Sequence, residues 1–179
     1  MSAAEVRELP PTEGGELDTL LGFLEFQRGT IALKTQGLDD AQLRTPLPPS
    51  TMTLGGLLKH LAFVEDFWIG MTVTGREPAE PFASAPWGDD PNWDWSSSAW
   101  DTAAEVRGGW EAAVERSRTE LADVILDLGD AALGTRIPRW ESDEAVSLRW
   151  VLLHLIEEYA RHAGHADLLA ENVDGRLGV

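Results

Sequence analysis

Cysteine is absent from the 179 residues. That excludes disulfide staples, thiolate metal ligands and any nucleophilic sulfur supplied by the chain itself. Long apolar runs are also missing, and nothing approaches the ~20 residues needed to cross a bilayer. The opening MSAAEVRELPPTEGGE is acidic and polar, unlike the basic start and apolar core of a secretory signal, so the expected location is the cytoplasm. Positive charge is scarce: 14 Lys and Arg against 31 Asp and Glu leave a formal charge of -17. Such a surface repels phosphate backbones and anionic lipid, which argues against nucleic-acid and membrane partners. Period-two alternation is lacking over any convincing length, so no strand is expected.

Apolar residues make up 43% of the chain, enough for the core of one large domain of 1–179. Residues 1–14 read as a loose arm. A first helix is expected over 16–36, where Leu17, Leu20, Leu21, Leu24 and Ile31 form a helical stripe and Gly37 is placed as a stop. A short turn at 39–43 and a Pro-rich connector lead to a second helix over 53–75, capped by Thr51 or Thr53. Residues 76–98 form a long loop with Pro78, Pro81, Pro86 and Pro91. A third helix over 100–127, a connector over 129–146 and a fourth helix over 147–172 complete the chain. The expected class is all-α: a four-helix bundle with one long crossover loop.

The four histidines carry the chemistry. At 100° per residue, His154, Glu158, His162 and His165 occupy a band about 80° wide on the fourth helix, and Val151, Leu155 and Leu169 fall within or beside it. On the second helix His60 shares a face with Leu57, Val64, Phe67 and Met71. Imidazoles and a carboxylate on inward faces need partners, and a divalent cation is an effective one. Glu158 and His162, one turn apart, can reach one ion while His60 supplies a third ligand, leaving open positions as in catalytic sites. Spacing alone does not separate Glu158 from Glu157, or His162 from His165.

Two stretches, TLGGLLKHLAFVEDFW over 53–68 and SLRWVLLHLIEEYARHAGHADLLAENVDG over 147–175, resemble the DinB-like superfamily, also described as YfiT-like metalloenzymes. The likeness extends over nearly the whole chain in element order and loop lengths, and is closest to an actinobacterial branch of mycothiol S-transferase-like proteins. It implies a DinB/YfiT-like bundle in which one His of the second helix and a pair on a late helix bind a divalent ion. The matching positions are His60, Glu158 and His162. Glu158 departs from the commoner all-His triad and resembles the His/Glu/His set of mycothiol-dependent maleylpyruvate isomerase. His154 is the alternative ligand. Zinc is the first expectation for the ion, with nickel, manganese or iron open.

The resemblance implies transfer of a low-molecular-weight, mycothiol-like thiol to a small electrophile, in detoxification, by a monomer or homodimer. His165 and Arg161 are placed to orient the ligands or bind an anionic group. Two other functions stand beside it: a non-catalytic, stress-related metal- or ligand-binding bundle, and a metal-dependent hydrolase with Glu157 or His165 as base. Trp68, Trp110 and Trp150 are expected in the core. Trp87, Trp93 and Trp95 are expected to anchor the long loop ahead of capping a cavity. Asp89, Asp90 and Asp94 match a calcium loop only loosely.

Overall fold

A computed structural model describes residues 7–140 and 143–177. Helix α1 spans Glu16–Thr35 and is followed by the single turn α2, Asp40–Leu43, closed by a capping box between Asp39 and Gln42. Helix α3, Leu54–Glu65, starts where Thr53 Oγ1 accepts from Gly56 N. It runs directly into a π-helical segment, Asp66–Val73. The long loop carries one helical turn, α4, Trp93–Ser96, and a 3₁₀ turn, Ser97–Trp100. Helix α5, Ala103–Leu128, has a Thr102/Glu105 capping box, and α6, Leu148–Asp174, is capped by Ser147 and stopped by Gly175 at φ 77°.

The four long helices form the expected all-α bundle: α1 packs on α6, and α3 on both α5 and α6. Leu24, Ile31, Leu58, Leu61, Leu152 and Leu155 are fully buried between them, each contributing roughly 1.5–3 kcal/mol of transfer free energy. None of the described helices is long and apolar enough to cross a membrane.

Three expectations need correction. The connector over 129–146 holds a 3₁₀ turn, Gly129–Gly134, and a small antiparallel pair, β1 Arg136–Pro138 and β2 Ala145–Ser147. Strands of three residues are too short to show alternation. The arm expected to be loose is held in its described part: Arg7 lies over the Phe26 ring at 4.5 Å and Pro11 packs against Gly22; residues 1–6 lie outside the described residues. Trp68 and Trp110 are buried, but Trp150 is 43% exposed. It lies flat on His154, with 13° between the rings, and shields that imidazole instead of filling the core.

At the centre a charged chain ties all four long helices together. Arg28 of α1 donates through Nε and Nη2 to the two oxygens of Glu65 of α3, at 2.8 and 2.6 Å. Tyr159 of α6 donates to Glu65 Oε1 at 2.7 Å, and Trp110 Nε1 of α5 donates to the Tyr159 hydroxyl at 3.0 Å. Burial, reinforced by the Glu65 carboxylate, pushes the Tyr159 phenol well above its usual range, so it remains a donor. Glu65 and Tyr159 are fully buried and Arg28 is 2% exposed. Removing one member strands a buried charge. Glu65→Ala is expected to destabilise the protein by about 3–5 kcal/mol, read from its denaturant-unfolding midpoint.

Candidate metal centre

Beside Tyr159, on the neighbouring strip of α6, Glu158 and His162 face His60 of α3. His162 Nε2 stands 3.4 Å and His60 Nε2 4.0 Å from Glu158 Oε2. One donor atom from each residue lies within 4.8 Å of the other two. Tetrahedral ligands about 2 Å from a zinc ion stand roughly 3.3 Å apart, so small side-chain movements bring this set to bonding geometry. The side chains of His60, Glu158 and His162 are 18%, 15% and 7% exposed: open enough for one further ligand, shielded enough to leave the donors poorly hydrated.

The ring nitrogens facing away from this point are also occupied. His60 Nδ1 lies 2.6 Å from Asp94 Oδ2. A carboxylate accepts, so Nδ1 carries the proton and the Nε2 lone pair faces the site. Asp94 is 5% exposed. It comes from α4, and its neighbour Trp95 stacks on the His60 ring at 4.4 Å with 21° between the planes. The loop thus clamps His60 from two sides. His162 Nδ1 stands 3.3 Å from His165 Nδ1, so a His162 with a free Nε2 lone pair donates to His165. Burial, aided by His60, His165 and Arg161, lowers His162 from its usual 6.5 to about 4; at neutral pH it is an uncharged imidazole, the form that ligates.

The remaining sequence expectations fall around this core. Arg161 reaches back to Glu157, and its Nη1 lies 3.7 Å from Glu158 Oε1. His154 Nε2 is 3.8 Å from that same oxygen, and its ring lies among Trp68 and Trp150. It faces the oxygen of Glu158 turned away from His60 and His162, and forms a second potential donor group with Glu157 and Glu158. Glu157, engaged by Arg161 and about half exposed, is not aimed at the inner triad as a base would be.

Sequence reasoning missed Asp94 as a partner of His60, grouping it with Asp89 and Asp90. Its signal was the Asp94-Trp95 pair in an otherwise breaker-rich loop. Trp87 and Trp93 do anchor that loop: Trp87 packs on Phe63 at 4.7 Å and Lys59 lies over Trp93 at 4.4 Å. Trp95 instead touches the donor histidines.

A four-helix bundle with a His/Glu/His donor set turned inward defines a protein able to hold a divalent cation in its core. The chain belongs to the mycothiol-S-transferase family, whose model matches residues 19–175, and through it to the DinB-like superfamily. No curated protein matches it.

Asp94→Ala removes the acceptor that fixes the His60 tautomer. It is expected to weaken divalent-metal binding about 10–100-fold in competition titrations, with helical circular dichroism retained. Because His162 is harder to protonate folded than unfolded, the unfolded chain takes up the proton first on acidification. The metal-free protein should therefore lose stability as pH falls from 6.5 to about 4. Thermal melts across that window check this, and His162→Gln should remove the component.

Proposed function

We propose that the protein transfers a low-molecular-weight thiol, mycothiol or a close analogue, to a small electrophile, using a divalent ion, zinc first, held by His60, Glu158 and His162. The observation that carries this reading is the inward donor triad in a chain matched by the mycothiol-S-transferase family over residues 19–175. An external thiol also suits a chain with no cysteine of its own.

A divalent cation there supplies the positive charge that favours thiolate over thiol at neutral pH. The protein's own groups prepare that point. Asp94 and Trp95 hold the His60 ring in orientation and tautomer, and His165 does the same for His162 through Nδ1. Trp95, also 5.5 Å from His162, keeps bulk water from one side, which strengthens every charge interaction within. Arg161, over half exposed at the rim, offers a cation to an anionic substrate group and balances Glu158. The sulfur lone pair forms a new bond to the electrophilic carbon while the bond to the leaving group breaks; the thiol proton goes to solvent. Such conjugation is detoxification chemistry.

The test combines metal content and turnover. Purified wild-type protein should bind about one equivalent of zinc, and His60→Ala and His162→Ala should each lose it, since a three-ligand site cannot spare one. Metal-loaded wild type should conjugate mycothiol to a chromogenic aryl halide, and both variants should fall at least 100-fold. Metal retained by both variants overturns the ligand assignment. Metal bound without turnover on mycothiol, bacillithiol or glutathione leaves a binding module instead.

A further inference from the structure

A second donor set adjoins the triad on the outer side of Glu158. His154, Glu157 and Glu158 each offer one ligand atom within 4.8 Å of the other two. On α6 they stand at i, i+3 and i+4, so the three side chains meet over one stretch of helix surface. Glu158 belongs to both sets, through different oxygens. Its Oε2 lies 3.4 and 4.0 Å from Nε2 of His162 and His60, and its Oε1 lies 3.8 Å from His154 Nε2.

The His154 ring is held in place. Trp150 lies flat against it at 5.0 Å between centroids, and Trp68, from the π-helical segment, meets it edge-on at 4.6 Å. Rings from two elements thus fix its plane. Neither nitrogen makes a hydrogen bond among the described residues: Nδ1 stands 3.5 Å from Glu157 Oε2, and Nε2 3.8 Å from Glu158 Oε1. Direct N–H···O bonds extend to roughly 3.2 Å, whereas neighbouring ligands of one small ion stand roughly 3.3 Å apart or more. The spacing is that of ligands. Arg161 now neutralises this group: it pairs with Glu157, and its Nη1 lies 3.7 Å from Glu158 Oε1. Its side chain is 55% exposed, so a competing cation displaces it at little cost.

We propose that His154, Glu157 and the outer oxygen of Glu158 hold a second divalent cation, so that Glu158 bridges two ions, one on each oxygen. This rests on His60, Glu158 and His162 as the inner ligands, and not on thiol transfer. One imidazole with carboxylate oxygens suits zinc, manganese or ferrous iron. Glu157 is 49% exposed and Arg161 must move aside, whereas the inner donors are 18% exposed or less. The inner set therefore fills first, and the outer set fills when divalent ion is in excess. A cation on Oε1 takes up part of the Glu158 charge, leaving the inner ion more positive charge to polarise whatever binds it.

The test titrates manganese into metal-free wild type and four variants, following the bound ion by calorimetry and electron paramagnetic resonance. Wild type should take up about two equivalents, the second more weakly. Glu157→Gln and His154→Ala should each lose the weaker equivalent and keep the tighter one, with helical circular dichroism unchanged. Arg161→Ala should tighten the weaker equivalent by up to about fivefold, the worth of an exposed ion pair. In doubly loaded wild type the shared carboxylate should couple the two spins, so the signal falls below the sum of two separate ions. A single equivalent in wild type under excess manganese, or both equivalents retained by Glu157→Gln and His154→Ala, overturns the outer site. Two equivalents with additive, uncoupled signals overturn the bridge through Glu158. His60→Ala should lose the tighter equivalent alone. If it keeps both while Glu157→Gln loses one, the outer site stands and the inner ligand assignment falls.

Discussion

The interaction on which the rest depends is the buried chain from Arg28 through Glu65 and Tyr159 to Trp110. Each member comes from a different long helix, so the chain fixes how all four are rotated and slid against one another. Apolar side chains tolerate small slips because dispersion is non-directional; a bidentate guanidinium–carboxylate pair does not. Ions this deeply buried add little net stability over an apolar replacement. Their contribution here is register. Tyr159 directly follows Glu158, so the bond that seats Tyr159 on Glu65 also turns Glu158 toward His60.

The donor triad is then completed from outside the bundle. Helix α6 supplies two donors and α3 one, but the orientation of His60 is set by α4, which lies in the long crossover. The π-helical segment after Glu65 belongs to the same arrangement. Its Asp66 accepts from Arg76 at 2.6 Å and from Ala79 N at 2.9 Å, tying down the start of the loop that delivers Asp94 and Trp95. Arg76 lies across Gly70, where a Cβ would meet Nη2 at 1.9 Å, so any larger residue there would push the guanidinium off its present seat.

Much of this was legible from periodicity. The positions of α1, α3, α5 and α6, and the inward faces carrying His60, Glu158 and His162, follow from 3.6-residue spacing, which ties each side chain to the burial of its neighbours. What escaped shares one physical cause: it depends on contacts between distant segments. Arg28 and Glu65 look like surface charges in sequence, and only the fold brings them together 37 positions apart. Asp94 meets His60 across 34 positions through a proline-rich loop whose path no local rule predicts. The β1–β2 pair is too short to carry a pattern, and Trp150 was misassigned because helical phase says which way a ring points, not whether a neighbouring imidazole lies in between.

His60 is shared by two partners through opposite nitrogens: Asp94 holds Nδ1, and Nε2 faces the triad. Occupancy at one nitrogen and docking at the other are thus linked, and linkage is reciprocal: whatever free energy the closed crossover lends to the donor set, a filled donor set returns to the crossover. The crossover that carries Asp94 and the donor set thus meet in one side chain, and whatever fixes the His60 ring serves both.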